Sequence, residues 1–74
     1  MARLPQLNGR QVVKAFQKFG WEEARQSGSH IILTKDGHMA TLSVPNHKQV
    51  AVGTLRSLIR SAGLTVDEFV WSLN

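Results

Sequence analysis

The Asp36-Gly37 pair between two apolar runs constrains the fold of this chain more than any other feature. Such a pair predicts a β-hairpin closed by a two-residue type I′ turn, because that turn needs positive φ at both central positions. Counting outward from the turn in antiparallel register places His30 opposite Ser43. The sequence therefore predicts two paired strands over residues 30–44.

The predicted hairpin has one apolar face and one mixed face, because side chains alternate along a β-strand. The apolar face, which other elements must cover, consists of Ile31, Leu33, Ala40, Leu42 and Val44. The mixed face tolerates water and consists of His30, Ile32, Thr34, Met39, Thr41 and Ser43. We therefore expect the His30 side chain to be exposed to solvent.

The length of 74 residues predicts a single domain over residues 1–74, near the size at which one hydrophobic core is only just sufficient. Two layers, with helices on one face of a small sheet, are a natural solution at this size. The chain has no cysteine, which excludes disulfides and thiolate metal sites and fits a reducing cytoplasm.

Charge and hydropathy favour a nucleic-acid partner over a membrane. No apolar stretch reaches the roughly 18 residues of a membrane span, and the N-terminus lacks the apolar core of a secretory signal. The formal net charge of +4 predicts an acidic partner. Nucleic acid is favoured because a large basic amphipathic segment is missing. We expect a cytoplasmic protein with no membrane contact.

A first helix is predicted over about Gly9–Phe19, where apolar residues recur at helical spacing. Asn8 at the N-cap and Gln11 at N3 form a capping-box pattern, and Gly20 is placed to end the helix. The opposite side carries a basic row of Arg10, Lys14 and Lys18. Such a row is most often simply the solvent-exposed face of a helix. If the partner is a nucleic acid, the same three side chains are candidate contacts to its phosphates.

Residues from Trp21 to Gln26 are predicted as a third, edge strand, because the short Ser27-Gly28 step leads directly into the hairpin. The charged side chains of this segment discourage edge pairing with other chains. Two registers are open. A two-residue Ser27-Gly28 turn places Arg25 opposite His30, whereas a three-residue loop moves every side chain to the other face. Arg25 is therefore a candidate neighbour of His30.

Two further helices are predicted in the C-terminal third of the chain. The first spans about Ala51–Ala62 and is ended by Gly63. A second capping-box pattern, Thr65 with Glu68, opens a short helix that runs to about Ser72. The residues expected to be buried are Val52, Leu55, Leu58, Ile59, Ala62, Phe69 and Val70, with Trp71 or Leu73. The order of helix, three strands, helix and short helix predicts an α+β fold with helices packed on one face of a three-stranded antiparallel sheet.

The predicted register brings several polar residues to one end of the sheet. Since His30 pairs near the end of the third strand, the loop that carries His47 and Lys48 leaves the sheet at the same end. Four residues from Ser43 to His47 reach at most about 14 Å. The amides that open the second long helix point toward the same region. We therefore predict a phosphate site formed by that helix start with Gly28, Ser29, His30, His47 and Lys48.

Four motifs occur in an order that resembles the HicA (YcfA-like) toxin family, from the first helix to Phe69. They are Gly28-Ser29-His30, Val44-Pro45-x-His47, Gly53-Thr54-Leu55-x-x-Leu58-Ile59-x-x-Ala62-Gly63-Leu64 and Glu68-Phe69. The resemblance implies an α-β-β-β-α fold like that of double-stranded-RNA-binding domains. It also implies an endoribonuclease that cleaves messenger RNA without a metal or other cofactor and is neutralised by a HicB antitoxin. The catalytic residue of the family corresponds to His30.

The chain departs from the family pattern just after the catalytic position. Members often carry a second histidine, an arginine or an aromatic residue there, whereas this chain has Ile31-Ile32-Leu33. The chain has no tyrosine. Trp21 and Trp71 are candidate platforms, but packing inside the protein is the favoured role for both. Aromatic platforms for RNA bases are therefore scarce.

The proposed chemistry also suits a single imidazole on physical grounds. RNA cleavage needs a base that takes a proton from the 2′-hydroxyl or from water, and a free imidazole, with a pKa of about 6.5, suits that task near neutral pH. Lys48 and Arg25 are candidate phosphate contacts, while His47 is a candidate acid, phosphate contact or loop strut. The three histidines lack metal-site spacing, so we expect no metal.

Two rival functions remain open. A non-catalytic RNA-binding domain needs no particular His30 and makes backbone contacts through Arg10, Lys14, Lys18, Lys48 and Arg56. A partner-binding module that reads DNA with its C-terminal helices needs exposed base-reading side chains, which Arg60 and Ser61 hardly supply. Replacing His30 by alanine separates the enzyme from the binding domain.

Overall fold

The computed structural model describes residues 3–73. Its elements are α1 (Gly9–Gln17), β1 (Glu22–Ser27), β2 (His30–Thr34), β3 (Leu42–Pro45), α2 (Val52–Ser61) and α3 (Val66–Trp71). The three strands form one antiparallel sheet in the order β1-β2-β3. This arrangement confirms the α+β class and the α-β-β-β-α layout with a short C-terminal helix.

The helices cover one face of the sheet. Pro45, at the end of β3, is buried. The strand residues that belong to the hydrophobic core are Ile31, Leu33, Leu42 and Val44. They share one core with buried helix residues that include Val12, Phe16, Leu55, Ile59 and Phe69. The ring centroids of Phe16 and Phe69 lie 5.1 Å apart, so α1 and α3 meet inside this core. Removal of this apolar surface from water is the main force that holds the two layers together.

Both predicted capping boxes are present. The Asn8 side chain accepts from the Gln11 N–H at 2.8 Å, and the Gln11 side chain accepts from the Asn8 N–H at 2.9 Å. Thr65 and Glu68 make the equivalent pair of bonds at the start of α3. Each box satisfies two of the N–H groups that a helix start leaves without an intrahelical partner.

α1 ends at Gln17, two residues before the predicted end at Phe19. The N–H groups of Lys18 and Phe19 donate to the carbonyls three residues before them. Such bonds tighten the last turn and end the regular helix. Gly20, with a φ of 94°, then directs the chain into β1.

α2 begins and ends within one residue of the prediction, and Gly63 follows it with a φ of 78°. Of the α2 residues that were predicted to be buried, Val52 alone is exposed, with a fractional exposure of 46%. Val50, just before the helix, is buried. No helix within residues 3–73 has the length and hydropathy needed to cross a bilayer.

The turn predicted at Asp36-Gly37 is present, but the predicted type I′ conformation is wrong. A β-turn is present from Lys35 to His38, whose N–H donates to the Lys35 carbonyl at 3.0 Å. Of the two central residues only Gly37 has positive φ, at 78°, which is the pattern of a type II turn. Type II turns splay the flanking strands, and pairing resumes only at Leu42.

The register of this hairpin is therefore shifted by two residues. His30 pairs with Pro45 rather than with Ser43, and Ile32 pairs with Ser43. Because side chains repeat every two residues, a shift of two leaves each strand residue on its predicted face. Ala40 is exposed, contrary to the prediction, because it lies in the connection outside the ladder.

β1 is an edge strand, as predicted, but its turn differs from both predicted forms. The turn is Gly28-Ser29, which places Ser27 opposite His30 and Arg25 opposite Ile32. Arg25 is therefore not the direct partner of His30. A β-bulge near the start of the strand interrupts the ladder, and bulges of this kind twist an edge away from pairing with other chains.

The two tryptophans have different surroundings. Trp21 is 1% exposed, as expected, and its ring meets that of His38 edge-on with centroids 4.8 Å apart. Trp71 is 66% exposed, contrary to the expectation that it packs inside the protein. Trp71 follows the buried Phe69 by two residues, which is about 200° around a helix. The two side chains therefore lie on opposite sides of α3. Leu73 packs against the core instead.

Candidate active site

The Gly28-Ser29 turn brings His30 to the start of β2. Gly28 has a φ of 59°, whereas the φ of Ser29 is not positive. Positive φ at the first central position alone is the pattern of a type II′ turn, which favours glycine there. Within residues 3–73, no atom other than those of Gly28 and its two chain neighbours lies within 4 Å of the place that a Cβ on Gly28 would occupy. Glycine is therefore favoured at this position because of the backbone conformation, and not because a side chain would lack space.

Gly28→Ala is expected to lower the free energy of unfolding by about 1–2 kcal/mol, because a left-handed conformation is strained for a residue with a Cβ. Gly28→Asn is expected to cost less, since asparagine is among the residues that occupy the positive-φ positions of type I′ and II′ turns. Urea unfolding followed by circular dichroism measures both variants. Equal costs for alanine and asparagine would show that the left-handed conformation does not select glycine here.

His30 is exposed on the face of the sheet that the helices leave uncovered. It lies in the central strand, paired with Ser27 on one side and with Pro45 on the other. Ser27 and Pro45 are therefore the cross-strand neighbours of His30; Ser27 is exposed, whereas Pro45 is buried. The solvent exposure predicted for His30 is confirmed.

Arg25 and Ser43 form the next row on the same face. Both pair with Ile32, which lies two residues along β2 from His30. Diagonal neighbours across two strands are roughly 7–8 Å apart, a distance that a long side chain spans. Arg25 is therefore a diagonal neighbour of His30 and adds a cationic group to the uncovered face.

The chain after β3 stays close to the turn between β1 and β2. The Asn46 N–H donates to the Ser29 carbonyl at 2.7 Å. The His47 carbonyl accepts from the Gly9 N–H at 2.9 Å, so the backbone of His47 supports the start of α1. The side chains of His47 and Lys48 are exposed.

The observed register shortens the path from His30 to His47. Because Pro45 is the partner of His30, two residues rather than four separate His47 from the strand position beside the imidazole. Two residues span at most about 7 Å. One end of the sheet thus brings together Gly28, Ser29, His30, His47 and Lys48.

The start of α2 has no side-chain cap. Ala51 is its N-cap residue and makes no capping hydrogen bond. Just before it, the Val50 N–H donates to the Leu7 carbonyl at 2.8 Å, which fixes the end of the loop that follows β3. A phosphate contact from the first amides of α2 stays a prediction.

The basic row of α1 lies in the helical layer, behind the sheet as seen from His30. Arg10 pairs with Glu23 of β1 at 2.8 Å, and the Lys18 ammonium donates to the Ser72 carbonyl just after α3. Lys14 and Lys18 line a cavity of about 250 Å³ between α1 and the C-terminal residues. The structure therefore does not bring this row together with the imidazole.

Two residues near His30 were not predicted from the sequence. Ser27 faces His30 because the turn lies one residue later than expected, and the preference of type II′ turns for an initial glycine was the available signal. Gly9 lies against the end of β3, where a Cβ on it would be 2.5 Å from the Pro45 carbonyl oxygen. No local signal in the sequence identifies that contact.

The groups at this end of the sheet suit proton transfer and phosphate binding. A neutral imidazole accepts one proton, and cationic side chains bind phosphate oxygens through charge-assisted hydrogen bonds. Within the described part of the chain, no group of three or more His, Cys, Asp or Glu side chains is arranged to hold a metal ion. The side chains at this end of the sheet carry imidazole, hydroxyl and cationic groups.

A comparison with known families gives a match over most of the chain. A family model described as the HicA toxin of bacterial toxin-antitoxin systems matches residues 9–64. The match begins at the first residue of α1, includes all three strands, and continues through α2. No curated protein matches the chain.

Proposed function

Since this chain belongs to the HicA toxin family of bacterial toxin-antitoxin systems, we propose that it cleaves messenger RNA with the imidazole of His30 as general base. The observation that carries the proposal is the place of His30, exposed in the central strand of the uncovered sheet face. The proposed reaction uses no metal and no other cofactor.

The proposed step begins with proton transfer to the neutral His30 imidazole. The proton comes from the attacking oxygen, which is the ribose 2′-hydroxyl or a water, as that oxygen bonds to phosphorus. The bond from phosphorus to the 5′-oxygen then breaks, and the 5′-oxygen receives a proton. We place His47 among the candidate donors of that proton, because its exposed side chain follows Pro45 by two residues.

Cationic side chains are proposed to stabilise the charge that develops on the phosphate oxygens. Arg25 shares the uncovered face with His30, and Lys48 follows β3 at the same end of the sheet. Fixed positive groups near a reacting phosphate favour the transition state most where water is partly excluded. Gly28 and Ser29 complete this proposed substrate site as the turn beside the imidazole.

The basic row of α1 is proposed to contact RNA away from the cleaved bond. Arg10, Lys14 and Lys18 lie in the helical layer, whereas the imidazole lies on the opposite face of the sheet. Contacts from lysine and arginine to phosphates add affinity without base specificity. In this proposal the row affects binding and not the chemical step.

The proposed protein partner is a HicB-type antitoxin. Membership of a toxin family of this kind implies an antitoxin, and the net charge of +4 favours an acidic surface on it. A partner that covers the open sheet face would exclude RNA from His30. Because the proposed target is messenger RNA, we place the activity in the cytoplasm.

The purified protein is expected to cleave a labelled messenger RNA in the presence of excess EDTA, because no proposed step requires a divalent cation. Gel electrophoresis of a time course measures the cleavage. The control is the His30→Ala variant purified in the same way, which reports any contaminating nuclease. Cleavage that is lost in EDTA and restored by Mg²⁺ would contradict the proposed mechanism. Binding of RNA without cleavage would favour the non-catalytic RNA-binding domain.

A further inference from the structure

α1 begins in direct contact with the end of β3. Gly9, its first residue, is buried. A Cβ on this residue would lie 2.5 Å from the Pro45 carbonyl oxygen and 2.7 Å from the Asn46 Cα. Real Cβ atoms essentially never show contacts under 3.0 Å, and backbone atoms cannot rotate away as a side chain does. Glycine is therefore required here by the close approach of two backbones.

Hydrogen bonds connect the same segments to the turn that precedes His30. The Gly9 N–H donates to the His47 carbonyl at 2.9 Å, and the Asn46 N–H donates to the Ser29 carbonyl at 2.7 Å. The start of α1 is thus joined to the segment after β3, and that segment is joined to the residue before His30. No side chain intervenes in either bond.

We propose that Gly9 is a positioning residue for RNA cleavage. It lets α1 dock on the backbone of Pro45 and Asn46, which holds the strand end beside His30 in the geometry that cleavage needs. This inference rests on the proposed function of His30. Because Gly9 is buried, it is expected to act through the segment that it contacts and not on the substrate itself. A displacement of about 1 Å far from the chemistry is enough to lower a rate by about 100-fold.

The test compares Gly9→Ala with two control variants. Met39→Ala changes a fully exposed side chain in the connection between β2 and β3, outside the proposed site. Thr65→Ala removes a capping hydrogen bond at α3 and so weakens the fold away from β3. For each variant, kcat and KM for cleavage of one defined RNA are measured at a temperature where circular dichroism shows it folded.

Gly9→Ala is expected to lower kcat by about 10- to 100-fold with KM within about threefold of the unmodified protein. The amide NMR signals of Ser29, His30 and Asn46 are expected to shift. Both controls should keep kcat within about twofold, because neither disturbs the strand end beside His30. A folded Gly9→Ala variant with unchanged kcat and unshifted signals overturns the inference, as does an equal loss of kcat in Thr65→Ala.

Asn8→Ala provides a second variant, which keeps the inference testable if Gly9→Ala does not fold. It removes the capping bond from the Gln11 N–H and loosens the same helix start without adding an atom. Faster hydrogen exchange is expected at the Asn46 amide, and unchanged exchange there overturns the inference. This readout involves no RNA. Failure of the proposed function would instead appear as cleavage retained by His30→Ala.

Discussion

His30→Ala is expected to lower the rate of RNA cleavage by a factor of about 10²–10⁴, the usual contribution of a general base, and to abolish growth inhibition. The fold is expected to be retained, because the side chain is exposed on the uncovered sheet face. Within residues 3–73 the His30 imidazole makes no hydrogen bond whose loss would destabilise the protein. RNA binding is expected to persist, since phosphate contacts supply most of the affinity.

The measurement combines a cleavage assay, an RNA-binding assay and a thermal unfolding curve on the same preparations. Met39→Ala is a suitable control, because Met39 is fully exposed in the connection between β2 and β3, outside the proposed site. Cleavage lost with binding kept supports the proposed enzyme. Cleavage and growth inhibition that continue unchanged would remove His30 from the mechanism.

Trp21→Ala is expected to lower the free energy of unfolding by about 3–5 kcal/mol, as is usual for removing a large buried aromatic side chain. Trp21 is 1% exposed and packs against His38 as well as the core. A chain of this length has a total stability of about 4–11 kcal/mol. The substitution is therefore expected to remove a substantial part of the total stability.

Trp71→Ala is the matched control for this prediction. The same substitution at a side chain that is 66% exposed is expected to change the stability by less than about 1 kcal/mol. Urea unfolding followed by far-ultraviolet circular dichroism measures both variants. Equal losses at the two positions would contradict the different burial of the two rings.

Trp21 also has a polar atom that the fold leaves without a partner. Its Nε1 and the Nδ1 of His38 are buried, and neither makes a hydrogen bond with any residue from 3 to 73. An unsatisfied buried donor costs free energy, and Trp21→Phe removes that donor while it keeps most of the apolar ring. The loss for Trp21→Phe is therefore expected to be well below the loss for Trp21→Ala.

The capping boxes of α1 and α3 and the end of α2 were predicted well because their signals are local. The capping box of Asn8 with Gln11 joins residues within one helical turn, and the same holds for Thr65 with Glu68. Gly63 lies in the left-handed conformation next to the end that it was predicted to make. Such bonds form whenever the segment is helical, whatever packs against it.

The faces of the β2–β3 hairpin were predicted correctly although its register was wrong. The period of two along a strand assigns each side chain to a face, and a shift by two residues preserves that assignment. His30 is therefore exposed with Pro45 as its partner, just as it would be with Ser43. The cross-strand partner of Arg25 was not predicted correctly. It depends on which two residues form the turn between β1 and β2.

The sequence by itself determined the α+β class, the order of the elements, the helix caps and the exposure of His30. These features follow from periodicity and capping, which act between residues close together in the chain. Only the tertiary structure decided that Pro45 and Ser27 flank His30 and that Gly9 must lack a side chain. The physical reason is that these contacts join distant segments, whose separation depends on the path of the turns and on how closely α1 packs against β3.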